Sequence, residues 1–129
     1  MNENNSGFFV SGTDTNIGKT VVSACLAYKL NGEYWKPIQC GYNNNGETDS
    51  DVVKRITGGN VKVHQESYLF KYPISPNLAA TKEKISININ DIKLPNKNMQ
   101  NNLIVEGAGG LLVPINNNYF IIDLIKKLS

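Results

Sequence analysis

Short apolar runs alternate with amphipathic segments along this chain. Residues 8–10 and 103–105 are uninterrupted apolar runs, and such runs bounded by turn residues are typical of buried strands. A third strand is predicted at Tyr34 and Trp35, ending at Pro37. Helical spacing of apolar residues predicts helices over residues 19–30 and 120–128. Shorter helices are predicted over 51–56, ending before Gly58 and Gly59, and over 77–84, starting at Pro76.

Two of these helices have a defined apolar face. The face of the first helix comprises Val22, Cys25, Leu26 and Leu30. The face of the last helix comprises Ile121, Leu124, Ile125 and Leu128. Residues 61–70 mix β-branched and aromatic side chains and fit either a strand or a loop. Residues 85–102 fit either an alternating strand or a weak helix, which Pro95 would end in both cases.

The alternation of strands and helices predicts an α/β fold. In such folds right-handed crossovers wind a parallel sheet, with the helices flanking it. Ligands then bind at the carboxyl ends of the strands. Lys19 and Thr20 follow the first predicted strand, Lys36 follows the second, and Glu106 follows the run at 103–105. We therefore expect these residues to share one rim of the sheet.

The segment between the first strand and the first helix contains a candidate phosphate-binding loop. Gly12 precedes Gly18-Lys19-Thr20 by one residue more than in the usual pattern. In such loops backbone N–H groups and the helix N-terminus bind phosphate, the lysine adds a full charge, and the hydroxyl is placed for Mg²⁺. The alternative is a turn that caps a helix, although a cap does not require lysine between glycine and threonine.

Several other residues at predicted strand ends are candidates for chemistry. Glu106 lies where phosphate-loop enzymes carry an acid that helps hold Mg²⁺, or it is an ordinary surface acid. Asp51 is a candidate second acid for the metal, whereas Asp49 is expected to cap a helix. Lys36 is either solvated or stabilises a developing oxyanion. Residues 107–110 have almost no side-chain bulk, which fits either backbone lying against a ligand or a tight turn.

Composition excludes several classes of function. The 129 residues carry a formal net charge of +2, with 40% hydrophobic and 19% charged residues, which is enough for one domain with a core. We expect neither nucleic-acid nor membrane binding, and a cytoplasmic location, because basic clusters, a long apolar stretch and a signal-peptide core are missing. Two cysteines and one histidine do not make a metal or disulfide framework. Residues 1–7 are expected to be flexible, and residues 8–129 to form the domain.

Five motifs stand out by their order and spacing. They are Gly-Thr-Asp-Thr-x-x-Gly-Lys-Thr at 12–20, Tyr-Trp-Lys-Pro-Ile at 34–38, Ser-Asp at 50–51, Ser-Pro at 75–76 and Val-Glu-Gly-Ala-Gly-Gly at 105–110. Together they resemble the dethiobiotin synthetase family, which also carries the longer phosphate loop. The resemblance runs from about residue 8 to the end of the chain. It implies a phosphate-loop NTPase-like fold, incomplete relative to the family, and an ATP- and Mg²⁺-dependent step of biotin biosynthesis.

The resemblance also implies a reaction and a set of site residues. In this family CO₂ is captured by one amine of 7,8-diaminononanoate, ATP phosphorylates the resulting carbamate, and the second amine closes the ring. The catalytic residues implied are Lys36 and Lys19. The residues implied for ATP binding are Asn16, Ile17, Gly18, Lys19, Thr20, Val21, Asp51, Glu106, Gly107, Ala108 and Gly109. Thr20, Asp51 and Glu106 would serve Mg²⁺, and Thr15 and Cys40 the diamine or its carbamate.

The chain departs from the family pattern in two respects. Position 40 is Cys where relatives often carry Ser, and a thiol is the weaker hydrogen-bond donor. The chain also ends just after the predicted helix 120–128. Relatives continue through further strand–helix units that recognise adenine and, across a homodimer interface, the substrate carboxylate. We therefore expect the N-terminal part of such a domain, with an exposed sheet edge beside the Glu106 strand and marginal stability.

Two other functions are compatible with a phosphate loop. One is a regulatory ATPase that partitions or positions cellular components. Such proteins usually carry a second lysine early in the loop and an aspartate after the later strand, whereas this chain has Thr13, Asp14 and Glu106 at those points. The other is an inactive remnant that binds phosphate or nothing, which the motif residues do not exclude.

Overall fold

The structure is a computed structural model that describes residues 7–95 and 101–129. Residues 1–7 were predicted to be flexible, and all of them except Gly7 lie outside the described residues. Residues 96–100, which belong to the ambiguous segment 85–102, also lie outside them. The strands are β1 (Gly7–Val10), β2 (Glu33–Trp35), β3 (Ile38–Cys40), β4 (Lys62–His64), β5 (Tyr68–Phe70) and β6 (Leu103–Glu106). The helices are α1 (Lys19–Lys29), α2 (Asp49–Ile56), α3 (Pro76–Glu83) and α4 (Ile121–Leu128), with a 3-10 turn at Ile89–Asp91.

Within residues 7–95 and 101–129, four strands form a parallel sheet in the order β1-β6-β2-β4, and β3 and β5 form a second parallel pair. Ile104 of β6 lies opposite Phe8 of β1 on one side and opposite Tyr34 of β2 on the other. The parallel sheet and its helices confirm the predicted α/β, phosphate-loop NTPase-like fold. Because all four strands run in one direction, the segments after β1, β2 and β6 emerge at the same edge.

The outer strand of the main sheet is not the expected one. β6 was expected to lack a neighbour on one side, but it lies between β1 and β2, and all four of its residues are buried. Within the described residues β1 is an outer strand, and Phe8 is 45% exposed. The first strand was therefore predicted correctly as a strand, but the prediction that it is buried is wrong. Apolar runs locate strands, but they do not reveal that a later strand inserts beside the first.

Helix α1 packs through small side chains rather than through its predicted apolar face. Ser23, Ala24 and Ala27 are buried, and the helix lies against β6. Val22 is 51% exposed, and of its predicted partners only Leu26 is partly buried. Small residues allow close packing of a helix on a strand, which leaves the larger side chains pointing outward. The predicted face is thus wrong, although the helix itself is confirmed.

The other helices follow the sequence predictions closely. In α4 the predicted face is confirmed, because Ile121 and Leu124 are buried while Ile125 and Leu128 pack partly buried against the same core. α3 begins at its proline, as expected. α2 begins two residues before the predicted start, because the chain is capped there by a threonine.

The two ambiguous segments take different forms. Residues 61–70 contain β4 and β5, so the strand alternative is confirmed for most of that segment. Residues 85–95 form neither a strand nor an α-helix, and Ile87, Ile89 and Ile92 are buried along this segment, which includes the 3-10 turn. These isoleucines join a core that includes side chains of β2, β3, β5, β6, α3 and α4. Among the helices of the described segments, none combines the length and apolarity that a bilayer crossing needs.

A charged cluster lies at the amino end of β2, opposite the predicted functional rim. Glu33 is 6% exposed, and its Oε2 lies 2.5 Å from Nε2 of His64 and 3.3 Å from Nζ of Lys62. Burial alone would raise the pKa of Glu33, but the hydrogen bonds with His64 and Lys62 lower that pKa overall. The carboxylate therefore stabilises the fold above its unfolded pKa of about 4.3. This contribution is lost as the pH falls through the lower pKa of the folded state.

Glu33→Gln is expected to lower the free energy of unfolding by about 1 to 3 kcal/mol at neutral pH, because a buried charged acceptor is removed. At acid pH, below the lowered pKa of the folded state, the difference from the wild type should shrink, since only there is the native carboxyl protonated. Urea unfolding at both pH values measures the effect. Asp91→Asn, which changes an exposed carboxylate, is the control. Equal stability of Glu33→Gln and wild type at neutral pH would contradict the expectation.

Candidate functional site

The loop after β1 runs directly into helix α1. Gly18 occupies the N-cap with φ +103°, in the left-handed region that favours glycine, and no side chain caps the helix there. Asn16 also has a positive φ, of +55°. The N–H groups of a first helical turn lack partners within the helix and, together with the helix dipole, favour bound anions. The start of α1 thus has the local conformation expected of a phosphate loop.

The glycine-rich segment after β6 packs against this loop. A Cβ added to Gly110 would lie 3.0 Å from the carbonyl oxygen of Gly12 and 3.2 Å from that of Thr13. Gly110 is therefore required by the close approach of two backbone segments. Ala108 and Gly109, in contrast, line the cavity described below. The two explanations offered by the sequence, a tight turn and backbone exposed to a ligand, apply to different positions of this segment.

Lys19 is the first residue of α1 and is 8% exposed. Its Nζ donates a hydrogen bond to the carbonyl oxygen of Asp14 within the loop. Burial lowers the pKa of Lys19, and the nearby cation of Lys36 lowers it further, while Glu106 and Asp49 act in the opposite direction. The phosphate-loop lysine and Lys36 are therefore close enough to interact electrostatically.

Lys36 follows β2 and lies between two carboxylates. Its Nζ forms an ion pair with Asp49 and donates to Oε1 of Glu106 at 3.2 Å. The residue is 5% exposed. Burial alone would lower the pKa of Lys36, but Glu106 and Asp49 raise it overall. Its side chain is therefore held as a buried cation at the carboxyl edge of the sheet.

Glu106 ends β6 and is only 1% exposed. Its Oε1 accepts hydrogen bonds from the Thr20 hydroxyl at 3.0 Å and from Lys36, and its Oε2 accepts one from the Tyr34 hydroxyl at 2.8 Å. Tyr34 was not predicted as a site residue. Side chains alternate between the two faces of a strand, so Tyr34 lies on the same face as Lys36, two residues later. This alternation is the sequence signal that could have identified Tyr34.

The two aspartates of α2 occupy positions that differ from the sequence expectation. Asp51 was predicted as the metal acid, but its Oδ2 accepts from the backbone N–H and the hydroxyl of Thr48 in a capping box. Asp49 was expected to cap the helix, but it pairs with Lys36, and its backbone N–H donates to Oε1 of Gln39 at 3.2 Å. The reason is that Thr48, rather than an aspartate, is the N-cap, which turns Asp49 toward the site.

A cavity of about 720 Å³ lies over these groups. The predicted site residues that line it are Thr15, Asn16, Gly18, Lys19, Thr20, Val21, Lys36, Cys40, Glu106, Ala108 and Gly109. Three predicted site residues are not among its lining: Ile17, Asp51 and Gly107. The cavity is also lined by residues that were not predicted to belong to the site, including Gln39, Tyr42, Asp49, Ile74, Ser75 and Pro76. The residues predicted at the strand ends therefore line one cavity, and of the two aspartates of α2 it is Asp49, not Asp51, that lies at its lining.

Cys40 lines this cavity from the end of β3, and burial raises the pKa of its thiol to about 12. At pH 8 such a thiol is ionised in roughly one molecule in 10⁴, and the thiolate is the nucleophile. We expect iodoacetamide to alkylate the exposed Cys25 at least ~10-fold faster than Cys40. Peptide mass spectrometry over time measures both rates, and comparable rates for the two cysteines would contradict this expectation.

The oxygen atoms at the rim fit a magnesium ion in character. Among the described residues no group of three or more His, Cys, Asp or Glu side chains forms a ready-made metal site. The Thr20 hydroxyl and the Glu106 carboxylate are nevertheless in contact, and Asp49 is joined to the same carboxylate through Lys36. Mg²⁺ usually takes only one or two protein carboxylates and completes its shell with water and substrate phosphates. The residues present are therefore compatible with a metal that arrives with a nucleotide.

Comparison with known proteins identifies the family to which this chain is similar. A family model described as an AAA domain matches residues 6–129. The ATP-dependent dethiobiotin synthetase of Lawsonia intracellularis is 51% identical over 121 residues, which cover 94% of this chain and 56% of that protein. The protein of the same name from Cytophaga hutchinsonii is 42% identical, over 95% of this chain and 58% of its own length.

A relative from Nitrobacter hamburgensis with the same name is 45% identical, over 92% of this chain and 54% of its own length. This chain thus spans about half the length of the curated relatives it matches. These matches confirm the resemblance that the motifs indicated. The chain belongs to the AAA domain family, as a homologue of proteins named ATP-dependent dethiobiotin synthetase.

Proposed function

We propose that this chain carries the ATP-dependent chemistry of dethiobiotin synthetase, a carbon–nitrogen ligase of biotin biosynthesis. The observation that carries the proposal is the convergence of Lys36 and Thr20 on the Glu106 carboxylate, beside Lys19, at the rim of one cavity. The names of relatives up to 51% identical support the same reaction. Because the chain spans about half of their length, the whole reaction and its substrates belong to the proposal.

The proposed reaction joins one carbon to two nitrogens. One amine of 7,8-diaminononanoate adds to CO₂ and loses a proton, which gives a carbamate. A carbamate oxygen attacks the γ-phosphorus of ATP, and the bond to ADP breaks. The second amine then attacks the carbonyl carbon of the mixed anhydride, phosphate leaves, and loss of a proton gives the cyclic urea. The main physical difficulty is that an anionic carbamate must approach an anionic γ-phosphate.

The lysines of the rim address this difficulty. Lys36 is a buried cation held by Asp49 and Glu106, so its charge is in place before substrates arrive. Lys19 lies at the start of α1, where the helix N-terminus adds partial positive charge. Fixed positive charge in a partly water-excluded site stabilises developing negative charge more than it would in water. We assign Lys36 to the transferring phosphoryl and carbamate oxygens, and Lys19 to the ATP phosphates.

The metal site of this proposal uses Thr20, Glu106 and Asp49. Asp49 takes the role that the sequence assigned to Asp51, because it lines the cavity and Asp51 does not. When bound, Mg²⁺ would neutralise charge on the ATP phosphates. The protein's own contribution is to orient the Glu106 carboxylate, through Thr20 and Lys36, toward the phosphate loop.

The remaining assignments follow the family resemblance. Asn16, Gly18 and Val21 line the cavity beside Lys19, and we propose that they contact the ATP phosphates. Ala108 and Gly109 are proposed to lie against the nucleotide, and Thr15 and Cys40 against the diamine or its carbamate. A homodimer and a cytoplasmic location, both inferred from the family, complete the proposal.

The direct test measures ADP and dethiobiotin formed by the 129-residue chain with Mg²⁺, ATP, the diamine and bicarbonate. Equal amounts of both products, formed only when every substrate is present, are the expected result. ADP released without the diamine would favour a regulatory ATPase instead. ATP binding without turnover would indicate a phosphate-binding remnant. As a second test, the unextended chain should restore growth without biotin to a strain that lacks this step.

A further inference from the structure

Tyr34 makes a polar contact that the proposed reaction does not explain. It is the second residue of β2, its relative exposure is 0%, and it is not among the residues that line the cavity. Its hydroxyl nevertheless donates to Oε2 of Glu106 at 2.8 Å. A buried tyrosine needs a partner for its hydroxyl, but here the partner is the acid at the centre of the proposed site.

The two oxygens of Glu106 have different neighbours. Oε1 accepts from the Thr20 hydroxyl and the Lys36 ammonium, both of which belong to residues that line the cavity. Oε2 accepts from Tyr34 on the other side. A carboxylate that accepts a hydrogen bond from a fixed donor on one oxygen cannot turn its plane freely. The hydrogen bond from Tyr34 thus restrains the plane of the carboxylate, so that its other oxygen is directed toward Thr20 and Lys36.

We propose that Tyr34 is a positioning residue that fixes the plane of the Glu106 carboxylate, so that one of its oxygens faces the metal–nucleotide complex. This inference rests on the proposed function, because it assumes that Glu106 meets a magnesium ion brought by ATP. Partners that orient metal ligands in this way commonly change metal affinity or activity by 10- to 100-fold when they are removed. Tyr34 would thus tune metal binding without touching metal or substrate.

The surroundings of Tyr34 make it suitable for this task. Its ring belongs to a core cluster with Ala24, Ala27, Val53 and Ile104, contributed by α1, α2 and β6. β2 itself is paired on both sides, with β6 and β4. The hydroxyl is therefore fixed by close packing. Burial and the charge of Glu106 raise the pKa of Tyr34 well above its usual range, which keeps its proton available for donation.

Tyr34→Phe removes the donor and keeps the ring. Calorimetric titration of the 129-residue chain with ATP, with and without Mg²⁺, gives the factor by which the metal tightens ATP binding. We expect this factor to fall about 10-fold in the variant, while affinity for metal-free ATP stays within about twofold of wild type. Tyr68→Phe is the matched control, because it also removes a tyrosine hydroxyl, whose oxygen accepts a hydrogen bond from the backbone N–H of Asn88. Its factor should equal that of wild type.

Rescue separates positioning from packing. Replacement of Tyr34 by 4-aminophenylalanine restores a donor at the same point and should recover most of the magnesium effect, whereas 4-methylphenylalanine fills the same volume without a donor and should not. The comparison of 4-aminophenylalanine with 4-methylphenylalanine at position 34 tests the inference even if Tyr34→Phe does not fold. An unchanged magnesium factor in the donor-free variants would overturn the inference and leave the proposed function intact. A wild-type chain whose ATP binding is not strengthened by Mg²⁺ would overturn both.

Discussion

Lys36→Met is expected to lower the turnover of the proposed reaction by about 10²- to 10³-fold, the range found when one group that stabilises developing negative charge is removed from an active site. Methionine keeps an unbranched side chain but carries no charge. The carbamate and the γ-phosphate would then approach each other without the cation that Glu106 and Asp49 hold between them. Product formation at saturating ATP, per folded molecule, measures the effect. Lys29→Met, at an exposed position of α1, is the matched control.

The same substitution should also lower stability. The Glu106 side chain is 1% exposed and that of Asp49 31% exposed, so Lys36→Met leaves one deeply buried carboxylate without its cation. We expect a loss of about 3 kcal/mol, at the low end for a broken buried ion pair, because Thr20 and Tyr34 still donate to Glu106. Urea unfolding measures this loss. Turnover within twofold of wild type in a folded variant would contradict the role assigned to Lys36.

The convergence of the candidate site residues could be predicted because it depends on local signals and on one topological rule. Apolar runs identified the strands that precede Lys36 and Glu106, and a parallel sheet brings the carboxyl ends of its strands to one edge. In the structure β2 and β6 are neighbours, and the two side chains meet at 3.2 Å. The phosphate loop joined the same edge because it follows β1, the other neighbour of β6.

Side-chain orientation and strand order could not be predicted from these signals. Helix α1 buries Ala24 and Ala27 rather than Val22, because the closeness of the helix to β6 decides which side chains fit between them. The pattern of apolar residues indicates which side chains are hydrophobic, but not how closely the helix approaches the strand. In the same way, the runs at 8–10 and 103–105 look alike in sequence, but in the part of the chain that the structure describes one forms an outer strand and the other a central one.

The two aspartates of α2 show how a small shift changes a functional assignment. Residues two apart on an α-helix project about 200° apart around its axis, so only one of Asp49 and Asp51 can face the site. Which one does so depends on where the helix begins. In the structure α2 begins at Asp49, with Thr48 as the cap, whereas its predicted start was Asp51. The choice between the two acids therefore follows from the cap.

Asp49→Asn and Asp51→Asn form a matched pair that should separate catalysis from capping. Asp49→Asn is expected to lower kcat/KM by about 10- to 100-fold, because Lys36 loses one of its two anchors and the proposed metal loses an acid. Asp51→Asn should leave kcat/KM within about threefold of wild type and cost about 1 kcal/mol of stability, since it weakens the capping box with Thr48. Steady-state kinetics and urea unfolding of both variants measure the two effects. The reverse result, with activity lost in Asp51→Asn and kept in Asp49→Asn, would restore the assignment made from the sequence and contradict the site derived from the structure.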